Sequence, residues 1–413
     1  MKMFGIWVNF LFGRKKNIKN FVFLEKIINF TKIKIMKQFI PLFEDYCLLE
    51  HKKFKNLIPD SVVSIANEFS KKGFKLFIVG GAVRDFLMNK RPKDFDLATD
   101  AKPKDTVKIV EKLGFKTLEV GQQFGIVVVV DNLGDEYEIA TFRTDVGKGR
   151  RPDGVEFTTI EGDVKRRDLT INALFYDINK EEIVDLVGGE YDIKTGTIKT
   201  VGKPQDRFDE DPLRKIRAIR FFARSGGKFD KETEKALKAD TSLEGVSTER
   251  IYEEFKKGIV QAKNPEIFVK TLYNMGYLQY FFSGIDLYTK KFINSRNPII
   301  QVSWLLQDID VKEVDKSLNK AKWNTKEINI IKWLLMAKTM NFEYSYTLIR
   351  RRDQIEIDDK IIKEWAELFP KAKKWIERLS SFDMELVNVE ELVADIKPSE
   401  RTNVIINKIK ELW

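Results

Sequence analysis

The stretch "GGAVRDFLMNKRPKDFDLAT", from Gly80 to Thr99, places two glycines, an Arg-Asp pair and two alternating aspartates close together. The apolar segment "KLFIV" (Lys75–Val79) precedes it and predicts a short buried strand that enters the glycine turn. "AVRDFLM" predicts a helical turn, and "DFDLAT" alternates between polar and apolar residues as a second strand does. The stretch therefore predicts a unit of strand, turn, helix and strand.

The polar residues of this unit favour a site for a metal ion and a phosphate. Asp94 and Asp96 are two apart on the predicted strand, so both side chains leave one face, roughly 7 Å apart. Such a pair suits Mg²⁺, which takes oxygen ligands and shares its shell with substrate phosphates. The turn at Gly80 and Gly81 lets the backbone approach a phosphate, and Arg84 adds positive charge. A turn followed by a solvated acidic strand explains each feature singly, but their combination favours the functional interpretation.

The next segments predict a small mixed sheet. "KPKDTVKIVEKLGF" has the pattern of an amphipathic helix that ends at Gly114. Ile126–Val130 and Tyr137–Phe142 flank "DNLGDE", which predicts a β-hairpin, and "FRTDVGKGRRPDG" predicts a basic, glycine-rich loop. This order of elements indicates a mixed sheet with helices on one face.

The remainder of the chain predicts helices. "RFDEDPLRKIRAIRFFARSG" begins at Arg207, with Pro212 as a start signal and Gly226 as a stop signal. "STERIYEEFKKGIV" predicts another helix, capped by Ser247 or Thr248. All but one of the seven tryptophans follow residue 300, in long segments without glycine clusters. The fold class predicted is α+β, with a small mixed-sheet head followed by an all-helical neck, body and tail.

The composition limits the chemistry that the chain can perform. The single cysteine, Cys47, and the single histidine, His51, exclude intramolecular disulfides, cysteine-rich zinc sites, and Ser-His-Asp or Cys-His catalysis. Catalysis must therefore use carboxylates, Arg or Lys, and an oxygen-ligated metal.

The net charge of +10 is compatible with a polyanionic partner, although a lysine-rich proteome would give the same balance. No segment has the roughly 18–20 apolar residues that span a membrane. Residues 1–36 are basic, as in a transit peptide or in a chain whose true start is Met36.

A second polar cluster lies in "KRRDLTINALFYD" (Lys165–Asp177). Three basic residues precede Asp168, and the apolar residues after it predict a helix that Asp168 caps. Arginines at such a point can hold a triphosphate, and Asp168 can bind a ribose hydroxyl. The capping role and the binding role are compatible with each other.

A third cluster, "DEDPLRKIRAIRFFAR", combines an arginine row with a carboxylate. Arg214, Arg217 and Arg220 follow one face of the predicted helix, where a solvated surface is the simplest explanation. Asp211, however, lies three residues before Arg214, which predicts that they are neighbours. Asp accepts from an exocyclic amino group while Arg donates to the adjacent ring nitrogen, an edge that cytosine and adenine share. A site of this kind accepts CTP and ATP and rejects UTP and GTP.

Together these stretches resemble the motifs of the class II tRNA nucleotidyltransferase/poly(A) polymerase family, part of the DNA-polymerase-β-like nucleotidyltransferase superfamily. The pattern G-G-x-V-R-D…D-x-D matches from Gly80 to Asp96, and R-R-D-x-T-I-N-A matches Arg166–Ala173. E-D-x-x-R-x-x-R matches Glu210–Arg217, and "DLVGGEYDIK" and "STERIYEEF" resemble further family segments. The resemblance covers Leu76 to about Phe255.

The resemblance implies an enzyme that adds CCA to tRNA 3′ ends from CTP and ATP, without a nucleic-acid template, and releases pyrophosphate. It implies that Asp94 and Asp96 hold Mg²⁺, and that Asp168 lies near the ribose. Nucleotide-binding residues implied by the motifs are Gly81, Arg84 and Arg167 for the triphosphate or sugar, Asp211 and Arg214 for the base, and Arg217 and Arg220 for the phosphates.

The implied organisation has an unassigned extension (1–36), a catalytic head (37–187), a neck that selects the base (188–265), and a body and tail (266–413) that bind the acceptor and T arms of tRNA.

The loop between Phe142-Arg143 and Arg150 is shorter than is usual in the family. This favours CC- or A-adding enzymes and poly(A) polymerase as alternatives. A catalytically silent RNA-binding protein is a further alternative, against which the Asp94/Asp96 pair argues. The expected location is the cytoplasm, or the mitochondrion if residues 1–36 are a transit peptide.

Overall fold

The computed structural model describes residues 54–118, 124–146, 154–282, 284–285 and 292–413. The predictions for residues 1–36, for Cys47 and His51, and for the centre of the basic loop at 147–153 lie outside these ranges. Among the described helices, none combines the length and the apolar character needed to cross a bilayer.

The described chain up to Thr195 alternates strands and helices. In chain order these elements are α1 (Asp60–Lys71), β1 (Leu76–Val79), α2 (Gly81–Leu87), β2 (Leu97–Thr99), α3 (Pro103–Glu111), β3 (Lys116–Leu118), β4 (Ile126–Val130), β5 (Glu136–Thr141), β6 (Arg143–Val146), β7 (Gly154–Phe157), α4 (Ile160–Lys165), β8 (Leu174–Asp177), β9 (Glu182–Asp185) and α5 (Gly189–Thr195). A short 3-10 helix, Thr170–Asn172, precedes β8.

Seven of these strands form one mixed sheet in the order β3-β4-β5-β2-β1-β8-β9. β2 and β5 pair in parallel, and the other neighbours pair antiparallel, including the predicted β4–β5 hairpin. On central strand β1, Leu76 and Ile78 join the core formed with α1 and α3, whereas Phe77 and Val79 join a smaller core that contains Val164 of α4. The expectation of helices on one face is therefore incomplete, because α4 also covers part of the opposite face.

Two local predictions at the sheet were wrong. The strand expected over "DFDLAT" begins only at Leu97, so both aspartates precede it, although the Asp96 carbonyl still accepts from Val79 N at 2.9 Å. Aspartate has a low β propensity, which favours an extended loop at this point. The apolar run expected to form a helix after Asp168 is strand β8, buried at every position between β1 and β9. A short apolar run has the same pattern in a buried strand and in a buried helix.

The two ends of the predicted basic loop also form regular structure. β6 pairs with β7 in an antiparallel ladder that runs from the Arg143–Phe157 pair to the Val146–Gly154 pair. The described part of this segment is therefore a two-stranded ribbon beside the main sheet. Four of the eight strand positions carry polar or charged residues, and Gly154 has no side chain, so neither strand shows the alternation that would have predicted it from the sequence.

The chain after residue 196 is mostly helical, as expected. Its first elements are β10 (Thr197–Ile198), α6 (Pro204–Glu210), α7 (Leu213–Ser225), β11 (Lys228–Phe229), α8 (Lys231–Ala239), α9 (Thr248–Gln261) and α10 (Pro265–Asn274). The later helices are α11 (Pro298–Leu305), α12 (Val311–Lys320), α13 (Thr325–Ala337), α14 (Ser345–Ile355), α15 (Asp359–Leu368), α16 (Lys373–Ser381), α17 (Val389–Leu392) and α18 (Pro398–Leu412). Three 3-10 turns interrupt them at Leu278–Phe281, Phe342–Tyr344 and Met384–Val387.

The segment predicted to be an all-helical neck contains one small exception. β10 and β11 form a two-stranded parallel ladder. The two chains approach so closely that a Cβ on Gly227 would lie 1.7 Å from the carbonyl oxygen of Gly196. Only glycine permits this approach, and the pairing links the segment before α6 to the end of α7. The α+β class itself is confirmed.

Candidate active site

All ten predicted site residues line one cavity of about 640 Å³ between the sheet and α7. The β1–α2 turn, the segment before β2, the segment before β8, and helices α7 and α9 form its walls. The lining residues are Gly80, Gly81, Arg84, Asp94, Asp96, Arg166, Arg167, Asp168, Asn172, Asp211, Arg214, Arg217, Arg220, Phe221, Arg224, Lys257 and Gln261. Residues separated by more than a hundred positions in the chain therefore meet in one place.

The β1–α2 turn brings the chain backbone close to the cavity. Gly80 has φ +65° and ψ −112°, a conformation that L side chains rarely adopt. A Cβ at this position would also lie 3.5 Å from Arg167 Nη1. The turn therefore needs glycine, and it leads directly into Arg84, which is buried on α2. Burial, together with repulsion from Arg224 and Arg220, lowers the pKa of Arg84 to about 10.

Asp94 and Asp96 lie side by side at the cavity wall, before β2. The side chain of Asp96 is open to the cavity, but the walls partly desolvate it. This desolvation, followed by the negative charges of Glu138 and Asp94, raises the pKa of Asp96, and Arg167 opposes the shift. A bound divalent cation would remove this repulsion, so the pair fits a metal site. The described residues contain no group of three or more Asp, Glu, His or Cys side chains placed to hold a metal.

Asp168 is buried and fully engaged by neighbouring groups. Its Oδ1 accepts from Leu169 N at 2.8 Å and from Asn172 Nδ2 at 3.1 Å, and its Oδ2 accepts from Arg217 Nε at 2.7 Å. Burial alone would raise the pKa of Asp168, but the Arg217 charge and these hydrogen bonds lower it to about 2. The carboxylate therefore ties the segment before β8 to α7 at the wall of the cavity.

We expect Asp168→Asn to lower the free energy of unfolding by about 2 kcal/mol at pH 7, since a pKa unit corresponds to about 1.4 kcal/mol. Because the folded pKa lies below the unfolded value of about 3.9, this stabilisation is present above pH 4 and is lost as the pH falls towards 2. Urea unfolding at pH 7 and at pH 3 measures the difference. The exposed control Asp206→Asn should match the wild type, and a D168N deficit that is equal at both pH values would contradict the prediction.

Asp211 and Arg214 both line the cavity, and the Arg214 backbone N–H donates to the Asp211 carbonyl at 3.0 Å, but their side chains are not hydrogen-bonded to each other. Asp211 lies between α6 and α7 in an extended conformation, because Pro212 starts the new helix. Its Oδ2 accepts from Arg250 Nη2 at 2.7 Å. Arg214 Nη1 donates to Glu210 Oε2 at 2.7 Å, and its Nη2 donates to the Arg166 carbonyl at 2.8 Å. The two side chains are thus oriented separately, each by its own partner.

Helix α9 orients the next arginines of the row. Arg220 Nε donates to Glu254 Oε2 and its Nη1 donates to Gln261 Oε1, both at 2.7 Å. Arg217 Nη1 lies 3.6 Å from Glu254 Oε1, in addition to its bond with Asp168. The charge of Asp168 raises the pKa of Arg217 further above its usual value. Arg217 and Arg220 are therefore charged groups held in place at the cavity wall.

The sequence reading missed several lining residues, although signals for some were present. Arg224 continues the arginine row by one helical turn, and its Nη2 donates to both carboxylate oxygens of Asp85 at 2.8 Å. Lys257 and Gln261 follow Glu254 at helical spacing on the same face of α9. Phe221 gave no signal, because an aromatic residue in an amphipathic helix is expected in the core.

A fold of this type with this site defines a nucleotidyltransferase of the poly(A) polymerase class. The sequence-family model described as "Poly A polymerase head domain" matches residues 76–199. A second family model, described as "Probable RNA and SrmB- binding site of polymerase A", matches residues 227–288. The CCA-adding enzyme of Ligilactobacillus salivarius is 32% identical over 392 residues, covering 87% of this chain and 92% of that protein. The CCA-adding enzyme of Staphylococcus epidermidis is 32% identical and covers 71% of each chain. The chain belongs to the family of CCA-adding enzymes.

Solved structures show the same fold. The Bacillus stearothermophilus CCA-adding enzyme in complex with CTP aligns with a TM-score of 0.56 and 24% identity, covering 86% of this chain and 84% of that one. A CCA-adding enzyme complex with CTP aligns with a TM-score of 0.65 and 21% identity, covering 87% and 94%. The architecture predicted from the motifs is thus that of known nucleotidyltransferases.

Proposed function

We propose that this protein adds cytidine, cytidine and adenosine to the 3′ end of tRNA, using CTP and ATP and releasing pyrophosphate. The observation that carries the proposal is the single cavity, which joins a carboxylate pair, an arginine row and a base-edge pair. The family relatives are named CCA-adding enzymes, and neighbouring structures contain CTP or ATP.

In this proposal, Asp94 and Asp96 would hold Mg²⁺, and the ion would supply positive charge against the phosphates of the nucleotide. The arginines Arg84, Arg217 and Arg220 bind the triphosphate and keep it in line with the attacking 3′-hydroxyl of the RNA. Gly81 leaves room for the phosphates, Arg167 contacts the triphosphate or sugar, and Asp168 lies near the ribose. The chain thus supplies position and charge, while the phosphoanhydride supplies the driving force.

Base selection follows from the donors and acceptors of Asp211 and Arg214. Asp211 accepts one hydrogen bond at each oxygen, from Leu213 N at Oδ1 and from Arg250 Nη2 at Oδ2, which leaves a lone pair on each for an amino group of cytosine or adenine. Arg214 keeps donors beyond those bonded to Glu210 and Arg166. Uracil and guanine present a carbonyl and a ring N–H at the same edge, so they leave both groups unsatisfied.

The partner and the domain limits remain part of the proposal. The basic helical region from residue 266 onward would bind the acceptor and T arms of tRNA through its phosphates. The boundaries 37–187 for the head and 188–265 for the neck stay predictions. The relatives named above are bacterial, which favours the cytoplasm over the mitochondrion.

The decisive experiment uses tRNA that ends at the discriminator base, Mg²⁺, and each labelled nucleoside triphosphate in turn. Addition of C, C and then A supports the proposed function. Arrest after CC, or addition of A alone, identifies a partial enzyme, and long A tails identify a poly(A) polymerase. Absence of any incorporation, with tRNA still bound, identifies a silent RNA-binding protein.

We expect Asp96→Asn to raise the melting temperature of the metal-free protein at pH 7. An acid whose pKa is higher in the folded chain than in the unfolded chain loses stability as the pH rises through the two values. The raised pKa of Asp96 therefore means that its charge destabilises the metal-free fold, and asparagine removes that charge. Added Mg²⁺ should then stabilise the wild type but not the variant. A thermal scan with and without Mg²⁺ tests this, with Asp100→Asn as a control; equal Mg²⁺ stabilisation of wild type and D96N would refute it.

A further inference from the structure

Phe221 is a buried aromatic residue that lies among four guanidinium groups. Its ring centroid is 4.3 Å from Cζ of Arg220, 4.8 Å from Cζ of Arg84, 5.9 Å from that of Arg217 and 6.0 Å from that of Arg224. Three of these arginines are on the same helix as Phe221, whereas Arg84 comes from α2 beside the sheet. The ring is 4% exposed and lines the cavity.

The four arginines carry more positive charge than their partners neutralise. Three carboxylates bond to them: Asp85 bonds to Arg84 and Arg224, Asp168 bonds to Arg217, and Glu254 bonds to Arg220 and lies near Arg217. The four arginines and three carboxylates together have a net charge of +1, and Lys257 adds a further positive charge at the same wall of the cavity. These ion pairs hold the arginine side chains, but the uncompensated positive charge still makes them repel one another, and a further attraction would offset that repulsion.

A phenyl ring suits this task because its face is electron-rich while its net charge is zero. Cation–π contacts attract the guanidinium groups to fixed positions, and the excess charge remains available to an anion. A carboxylate in the same place would also gather the arginines, but it would cancel the charge that a phosphate needs. An aliphatic side chain would fill the space without the attraction.

We propose that Phe221 is a positioning residue that preorganises the arginine cluster for the phosphates of the incoming nucleotide and for pyrophosphate. The inference rests on the proposed function, since it assigns the ligand of the same cavity. Phe221 carries no titratable or nucleophilic group, and the contacts that support the role are those of its ring with the arginines. Its contribution is therefore to phosphate affinity, through groups that already stand in their binding positions.

The test replaces Phe221 with mono-, di- and trifluorinated phenylalanine, which weaken the electron-rich face stepwise and keep the shape. Calorimetric titration with Mg²⁺-pyrophosphate measures binding without any catalytic step. We expect the affinity to fall with each fluorine, by about tenfold for the trifluorinated ring, with little change in melting temperature. The KM for CTP should rise in parallel, with kcat affected less.

Phe222 provides the matched control, because it is adjacent, half-buried and stacked on Phe229 with ring centroids 4.5 Å apart. Fluorination there should leave pyrophosphate affinity unchanged. Phe221→Leu should weaken pyrophosphate binding and Phe221→Trp should retain it. If the wild type binds pyrophosphate and fluorination at residue 221 has no effect, the role of Phe221 is refuted. If the wild type itself does not bind pyrophosphate, the proposed function fails instead.

Discussion

Asp94→Asn should reduce incorporation of CTP into tRNA by about 10³-fold or more, because it removes several kcal/mol of transition-state charge stabilisation at about 1.4 kcal/mol per factor of ten. Asp94 is exposed at the cavity wall beside Asp96, and the pair is the proposed metal site. Asparagine preserves the size of the side chain but offers a neutral oxygen, which is a poorer ligand for Mg²⁺. The rate is measured with radiolabelled CTP and tRNA that lacks its CCA end.

The control for this variant is Asp100→Asn, in the same part of the chain. Asp100 follows β2, and its Oδ1 accepts from Lys75 N at 2.8 Å away from the cavity lining. This variant should keep the wild-type rate, and both variants should bind tRNA equally well, since neither changes the helical region after residue 266. A D94N protein that incorporates CTP at the wild-type rate would overturn the enzymatic assignment of this carboxylate pair.

Asp211→Ala should lower the incorporation of both CTP and ATP by about 10- to 100-fold, the range expected for losing 1–3 kcal/mol of base-edge hydrogen bonding. Incorporation of UTP and GTP should stay at its low level, so the ratio of correct to incorrect addition falls. The physical reason is that the acceptor for the exocyclic amino group disappears, while Arg250 loses its partner at the same site. Competition between labelled CTP and unlabelled UTP measures the ratio.

Asp209→Ala is the matched control for the selectivity measurement. Asp209 lies two residues before Asp211, is exposed on α6, and its Oδ1 accepts a hydrogen bond from Gln205 Nε2 at 2.8 Å. Its removal should leave the CTP-to-UTP ratio unchanged. A wild-type protein that adds UTP as readily as CTP would contradict the base-edge explanation, and so would an Asp211→Ala protein with wild-type selectivity.

Much of the architecture was predictable from local sequence patterns. The β4–β5 hairpin, helix α3 ending near Gly114, and the helix start at Pro212 followed from periodicity, turn residues and proline. The α+β class followed from the contrast between the strand-rich first part and the later helices. The short apolar run Leu174–Asp177 was misread, because its burial on both faces removes the alternation that distinguishes a strand.

Motif order and residue chemistry marked ten positions in the sequence, and all ten line one cavity, while their roles in binding and catalysis stay predictions. The hydrogen-bond partners of these residues were not predictable from the sequence. Arg217 bonds to Asp168 and Arg224 bonds to Asp85, pairs that are 49 and 139 residues apart. The Asp211 side chain accepts from Arg250, whereas the side chain of Arg214, its predicted partner, donates to Glu210.

The amino-acid order thus decided which groups the chain offers and on which local element each lies, because helix and strand periods act over a few residues. The packing of α7 between the sheet and α9 decided which carboxylate holds which arginine, and placed Phe221 among four of them. Such pairings depend on distances across the folded core. They are fixed only when burial of apolar surface brings remote segments together.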